Sequence, residues 1–112
     1  MSHPAQSFDD VVHQRNRLAI LAVLREAPRA EFSFLKETLG LTQGNLSRHL
    51  QVLEEAGYVA IEKGHAGRRP RTWVSITRAG RRAFASEVRA LREFLDRVDG
   101  GGAVESGVSS TT

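Results

Sequence analysis

The chain has 112 residues, no cysteine, 40% hydrophobic and 26% charged residues; this predicts one compact domain and excludes disulfides, thiolate metal sites and a cysteine nucleophile. The formal net charge of +3 conceals a segregation, because Lys63, Arg68, Arg69, Arg71, Arg78, Arg81 and Arg82 form a basic block with no Asp or Glu between 63 and 82, leaving the rest of the chain at −4. A basic block on an acidic body points to a polyanionic partner.

The longest apolar run, Leu18 to Leu24, is seven residues, against the roughly 20 that a membrane helix needs. Met1 to Gln6 has no basic cluster leading into an apolar stretch, so no signal peptide is expected. With no cysteine in the chain, a reducing cytoplasm is the expected compartment.

Residues 1–7 are expected to be a flexible N-terminus. Ser7 is a candidate cap for a first helix from Phe8 to about Ala27, with Asp9 and Asp10 in its first turn. Leu18, Ile20, Leu21, Ala22, Val23, Leu24 and Ala27 give that helix a broad apolar face, and Pro28 ends it. Ser33 is the expected cap of a short helix, Phe34 to Leu39, stopped by Gly40. Only Leu41 separates Gly40 from Thr42, the next cap, and such a junction is a helix-turn-helix signature. A third helix follows from Gln43 to about Ala56, ended by Gly57. Alternation in Tyr58–Lys63 and Thr72–Ile76 predicts an antiparallel hairpin, with 64–71 as a projecting loop. Thr77 caps a last helix from Arg78 to about Val98. From Asp99 on, nine of 14 residues are Gly, Ser or Thr, a composition that predicts a disordered tail over 99–112. The domain is thus expected to span 8–98.

The order helix, helix, helix, strand, loop, strand, helix is that of a winged helix-turn-helix: mainly α with a small antiparallel β-hairpin. The segments TQGNLSRHLQVLEEAGYVAIEKG (Thr42 to Gly64), GRRPRT (Gly67 to Thr72) and ITRAGRRAF (Ile76 to Phe84) make the likeness specific. Over roughly Arg15 to Leu91 the chain resembles the small single-domain winged-helix transcriptional regulators related to the MarR and ArsR families, with a GR-x-PRT wing. The resemblance implies a DNA-binding regulator that dimerises through its terminal helices. It also implies a small-molecule effector pocket between the first and last helices, which no residue of the sequence identifies.

On the third helix Leu46, Leu50 and Leu53 form a core stripe, which turns Gly44, Ser47, Arg48, Gln51 and Glu55 the other way. Thr42, Gln43, Gly44, Asn45, Ser47 and Arg48 are therefore the candidate DNA-binding residues. Small residues permit close approach to the major groove, amides and Arg read base edges, and the free N–H groups of the first turn accept a phosphate. Glu55, almost three turns along, marks where contact should end. His49 sits beside the core stripe and is expected to be packed rather than to bind a ligand.

Arg68, Arg69 and Arg71 are the wing candidates for phosphate or the minor groove, since clustered like charges repel unless an anion offsets them. Arg78, Arg81 and Arg82 form a weaker set at a helix N-terminus, where cations oppose the dipole. Trp73 is expected to pack at the base of the wing. Phe84, Val88, Leu91, Leu95 and Val98 make a heptad-like seam. One domain's core can use Phe84 and Val88, but Leu91, Leu95 and Val98 extend past it. Pairing of the Val88, Leu91, Leu95 and Val98 seam with a second copy, together with the first helix, is therefore expected, and with it an inverted-repeat operator.

No phosphate-binding Gly loop and no nucleophile with a base at motif spacing is present, so an enzyme is not expected. His3, His13, His49 and His65 have no local metal-ligand spacing, and no metal or cofactor is expected. The competing reading is a winged helix that docks on protein without specific DNA binding. A docking surface should expose an apolar patch, and the polar Gln43–Arg48 face argues against it. A chain of this length leaves no room for a separate sensor domain, so any signal is expected to act on the dimer itself.

Overall fold

The computed structural model describes residues 9–100. The expected N-terminal segment 1–7 with its Ser7 cap, Phe8, and residues 101–112 of the expected tail lie outside the described residues. The elements are α1 (Asp10–His13), α2 (Arg15–Glu26), β1 (Arg29–Glu31), α3 (Phe32–Leu39), α4 (Gln43–Glu55), β2 (Val59–Ala66), β3 (Arg69–Ile76) and α5 (Arg78–Gly100).

The single first helix expected from Phe8 to Ala27 is two helices. Gln14 adopts an extended conformation (φ −65°, ψ 131°), and its side chain accepts from the Arg17 N–H at 3.0 Å as the cap of α2. Glutamine is not a favoured cap residue, so the polar run around it gave no warning of a break. Asp9 caps α1 by accepting from the Val11 N–H at 2.9 Å. Ala22, placed on the apolar face by the sequence, is exposed.

Two glycines make the turns that set the angle of the helices. Gly40 (φ 66°) follows α3, with its N–H bonded to the Glu37 carbonyl and the Leu41 N–H bonded to that of Lys36. Gly57 (φ 83°) repeats the arrangement after α4, through Gly57 to Glu54 and Tyr58 to Leu53. Both are Schellman closures, which need a left-handed residue at the turn. Thr42 caps α4 as expected, accepting from the Asn45 N–H at 3.1 Å. The Ser33 cap is not formed: α3 begins at Phe32, with Glu31 in the cap position and no side-chain cap bond.

Glu31 also ends a strand that the sequence did not announce. β1 pairs antiparallel with β3, as β2 does, so the hairpin is part of a three-stranded sheet in the order β1-β3-β2. The wing differs too. Residues 64–71 are not a long loop, because the ladder runs out to the pair Ala66↔Arg69 and leaves a two-residue turn, Gly67-Arg68, with Gly67 at φ 66°. A two-residue hairpin turn with a left-handed first position matches the twist of its strands. α5 continues through Gly100, two residues beyond the expected end.

The core lies where α2, α3, α4 and the sheet meet. Ile20, Leu21 and Leu24 of α2, Leu35 of α3, and Leu46, Leu50 and Leu53 of α4 are 0–2% exposed, and Val59, Val74 and Ile76 close it from the sheet. Burying each such side chain fully contributes about 1.5–3 kcal/mol. Phe84 brings α5 against this core, and Val12 brings α1.

Candidate nucleic-acid interface

The three buried leucines of α4 orient everything else on that helix. With Leu46, Leu50 and Leu53 turned inward, Gln43, Gly44, Asn45, Ser47 and Arg48 are all exposed, as is the cap Thr42. The helix therefore presents its N-terminal half as a polar edge with one guanidinium. The Asn45 N–H is taken by Thr42, and helix geometry leaves the preceding N–H groups directed outward at the positive end of the helix dipole. At the far end Gln51 donates to Glu55 at 3.4 Å, which makes the C-terminal part of the face acidic.

His49 is half-buried behind this edge. Arg17 approaches its Nδ1 at 3.3 Å, and the Asn16 amide lies 3.4 Å from Nε2. Arginine has only donors, so Nδ1 accepts from Arg17. Burial, then the charges of Arg17 and Arg48, hold the His49 pKa below its ordinary value of 6.5. Arg17 also donates to the Val11 carbonyl at 2.6 Å, so one side chain ties α1, α2 and α4 together.

The wing sorts its basic residues onto two faces. Cross-strand partners share a face, and alternate residues change it. Lys63 and His65 continue the inward row of Val59 and Ile61, opposite Thr72 and Pro70. Lys63 and Thr72 thus border a cleft of about 540 Å3 whose other wall is Gln43, Ser47 and Gln51 of α4, with Phe32 at its end. Sequence reasoning counted Lys63 in the basic block but did not select it for the site. Continuing the Val59–Ile61 alternation by one step would have found it.

The opposite face carries Arg69, Arg71 and Trp73. Here the acid-free block of the sequence meets an acid in space, because Arg71 pairs with Glu31; outside the block, Arg29 of β1 pairs with Glu62 of β2 at 3.3 Å. Arg29 also lies 4.0 Å over the Trp73 ring, which places Trp73 at the wing base, as expected. The argument that only an outside anion could offset these charges therefore fails for Arg71. Arg68, at the turn, and Arg69, next to it, are exposed, and no carboxylate pairs with either among the described residues.

Arg78, Arg81 and Arg82 are exposed on the first turns of α5 but do not join the α4 cleft. Arg81 borders a separate cavity with Arg25, and Arg82 lies beside Asp9, Tyr58 and Glu87. In the expected pairing seam Val88 and Leu91 are half-buried, whereas Leu95 and Val98 are 54% and 62% exposed. Phe94, 39% exposed, adds to that surface and was not foreseen.

The geometry is a helix-turn-helix with a two-stranded wing beside its exposed helix, and comparison with known proteins agrees. The winged helix DNA-binding domain family matches residues 16–95. The chain belongs to that family. An uncharacterized protein of Methanocaldococcus jannaschii is 39% identical to this winged helix over 92 residues, which cover 82% of this chain and 96% of that one. A solved transcriptional regulator homologue from Pyrococcus horikoshii is 35% identical with a TM-score of 0.77, over 81% of this chain and 90% of that one. The M. tuberculosis regulator MosR, solved in complex with DNA, shares the fold at 21% identity with a TM-score of 0.66, over 89% of this chain and 71% of its own. The family is one of DNA-binding domains, not of enzymes. No helix among the described residues is long and apolar enough to cross a membrane.

Proposed function

We propose that this winged helix is a sequence-specific transcriptional regulator of double-stranded DNA, working as a homodimer and, most simply, as a repressor that occludes a promoter. One observation carries the reading. The N-terminal half of α4 is an exposed edge of Thr42, Gln43, Gly44, Asn45, Ser47 and Arg48, backed by three leucines no more than 2% exposed. Such an edge enters the major groove with Arg48 and the amides on base edges, while Lys63 stands beside it and Arg68 and Arg69 meet phosphate or the minor groove. Arg71 belongs to the same wing with part of its charge already offset by Glu31. The likeness to MosR, which was solved with DNA, and to the P. horikoshii regulator homologue supports this use of the fold.

Pairing through Leu91, Leu95 and Val98 of α5, with Val88 at the edge of the seam, would make the binding unit two-fold. Its operator is then an inverted repeat with half-sites about one helical turn, ~10 bp, apart. Whether a small molecule tunes this binding is a separate question. The cytoplasm, where its DNA would be found, is the proposed site of action.

The test is selection of fragments from the source genome on the purified chain, followed by anisotropy titration of the enriched sequence against a scrambled duplex. The reading expects a symmetric motif, and an affinity that falls by roughly 0.9 log units per log salt for each neutralised phosphate. Enrichment of no motif at low salt would leave the protein-docking alternative in its place.

A further inference from the structure

Leu46, Leu50 and Leu53 hold α4 along one side, and a polar contact holds it on another flank. The Arg17 guanidinium donates to His49 Nδ1 at 3.3 Å. It also donates to the Val11 carbonyl at 2.6 Å and reaches the Asp10 carbonyl at 3.4 Å. Arg17 thus stands at the junction of α1, α2 and α4, beside the Asn16 amide that lies 3.4 Å from the other ring nitrogen.

The junction lies directly behind the exposed edge. His49 is one turn from Asn45, on the same flank of α4, and follows Arg48 in the chain. The Arg17 and Arg48 charges both act on the His49 ring, so they also repel each other, which favours an Arg48 side chain extended away from the body. No carboxylate pairs with either arginine among the described residues. Residues that read a groove must be held to about 0.5 Å by neighbours that are themselves fixed, and Arg17, anchored on two carbonyls, is such a neighbour.

From this we infer that Arg17 and His49 are a positioning pair for base readout: their hydrogen bond sets how α4 is seated and how Arg48 projects, without either residue touching DNA. The inference rests on the DNA-binding reading and adds to it the residues that seat the edge.

The bond needs a neutral ring, because an imidazolium has two N–H donors and no acceptor to offer Arg17. Burial, then the charges of Arg17 and Arg48, hold the His49 pKa below 6.5. The bond is therefore intact at pH ~7.5 and is lost as the pH falls through the folded value. The other charged groups on the elements around α4 are engaged or turned elsewhere. On α1, Asp9 accepts from Tyr58, Asp10 is exposed and His13 pairs with Glu87. From β2, Lys63 stands beside Ser47 and Gln51, on the flank of α4 opposite His49. A proton on His49 also adds a positive charge, which favours any polyanion. Acid should thus reduce discrimination between sequences rather than abolish binding.

The test titrates the full chain with the selected and the scrambled duplex at pH ~7.5 and ~5, in the cold, with circular dichroism confirming that each variant is folded. The wild-type preference for the selected duplex should fall about fivefold or more at the lower pH. Arg17→Met keeps the apolar stem and loses the donors. It should lower the preference about fivefold or more at pH ~7.5 and move the His49 ring titration, followed by NMR, back toward 6.5. His49→Leu should lose the preference at both pH values. His49→Gln, which returns an acceptor that does not titrate, should recover most of it without the response to pH. The inference is overturned if Arg17→Met discriminates as wild type does, or if His49→Gln keeps the pH response. Equal losses on both duplexes for Arg17→Met, with the salt slope lower by roughly 0.9, would also overturn it by making Arg17 a phosphate contact. A wild-type chain that binds neither duplex removes the DNA-binding reading and this inference together, whereas failure in the variants alone removes only the inference.

Discussion

The α-carbon of Gly80 packs directly on the main-chain carbonyl of Tyr58: a methyl group at residue 80 would collide with that oxygen and come within 3.0 Å of Ile76 Cγ1. The carbonyl has little room to move, because it accepts the Thr77 N–H at 3.0 Å. Thr77 in turn caps α5 by accepting from the Gly80 N–H at 2.9 Å and donates to the Gly57 carbonyl at 2.6 Å. Alanine is the better helix former by about 1 kcal/mol, so propensity alone predicts that Gly80→Ala stabilises. The packing predicts the reverse, a loss of about 1–3 kcal/mol and a fall in Tm of several degrees. A calorimetric scan decides the sign.

Next to that contact, the side chain of Glu87 is fully buried, with His13 Nδ1 2.6 Å from its Oε2 and the Asp9 N–H donating to Oε1 at 3.3 Å. A carboxylate away from water needs its partners. His13→Ala should therefore cost about 1–3 kcal/mol, more than its half-exposed position would suggest. Adding Glu87→Gln should give a double variant less destabilised than the two single losses summed, because the uncompensated charge is then gone. Strict additivity in urea titrations would show that the pair is not coupled.

His49 makes stability depend on pH in a stated direction. Burial, with Arg17 and Arg48, lowers its folded pKa below 6.5. Between those two values the unfolded chain binds a proton that the folded chain refuses, so stability is fully present above pH ~6.5 and falls as the pH drops through the folded pKa. Arg48→Ala removes one of the three causes and should move the His49 titration, followed by NMR of its ring protons, back toward 6.5. A His49 titration unchanged by that substitution would contradict the assignment. Tyr58 has the opposite sense. Its hydrogen bond to Asp9 at 2.5 Å, with burial and the Asp9 charge, raises its pKa above 10.0, so its contribution is present below pH ~10 and is lost as the pH rises through the folded value.

How far the sequence reveals this molecule depends on the range of the interaction concerned. The Leu46, Leu50 and Leu53 stripe, the Thr42 and Thr77 caps and the Gly40 and Gly57 stops are local, and all are legible. β1 is not, because three residues carry no period and its register, Ala30↔Val74, joins distant segments. Pro70 and the flanking glycines made 64–71 look like a loop. Yet Pro70 sits where β3 has outrun β1 and pairs with β2 alone, an edge position that tolerates a missing N–H. The same long-range pairing brings Glu31 to Arg71, so a charge block read along the chain overstated the free charge of the wing. Glu87 was findable in principle, as a lone acid one turn from Phe84 on the buried side of α5.

These placements divide the arginines by expected effect on DNA. Arg68→Ala with Arg69→Ala should weaken binding about equally on all duplexes and lower the salt slope by roughly 1.8. Arg71→Ala should weaken it less than either, since Glu31 already offsets its charge. Arg48→Ala should cost about 1–3 kcal/mol on the selected sequence and relax discrimination there. Equal losses on selected and scrambled duplexes would instead make Arg48 a phosphate contact.

The last helix supplies the remaining prediction. Beyond Ala90, the final buried residue of α5, the body of the domain ends, yet Leu91, Phe94, Leu95 and Val98 continue on the same side of the helix, with the last three exposed. A row of large apolar side chains that runs about two turns past its own core gains burial against another surface, and the matching row of a second copy meets it symmetrically. Leu95→Glu places a charge in the middle of that row, where two copies would bring like charges together. Sedimentation should then find a dimer for the wild-type chain and a monomer for the variant, with the Tm of the domain nearly unchanged because Leu95 is 54% exposed and outside the core cluster. Affinity for a two-half-site operator should fall steeply while affinity for an isolated half-site holds. A Leu95→Glu chain that stays dimeric would place the pairing surface elsewhere, with α1 and α2 the next elements to vary.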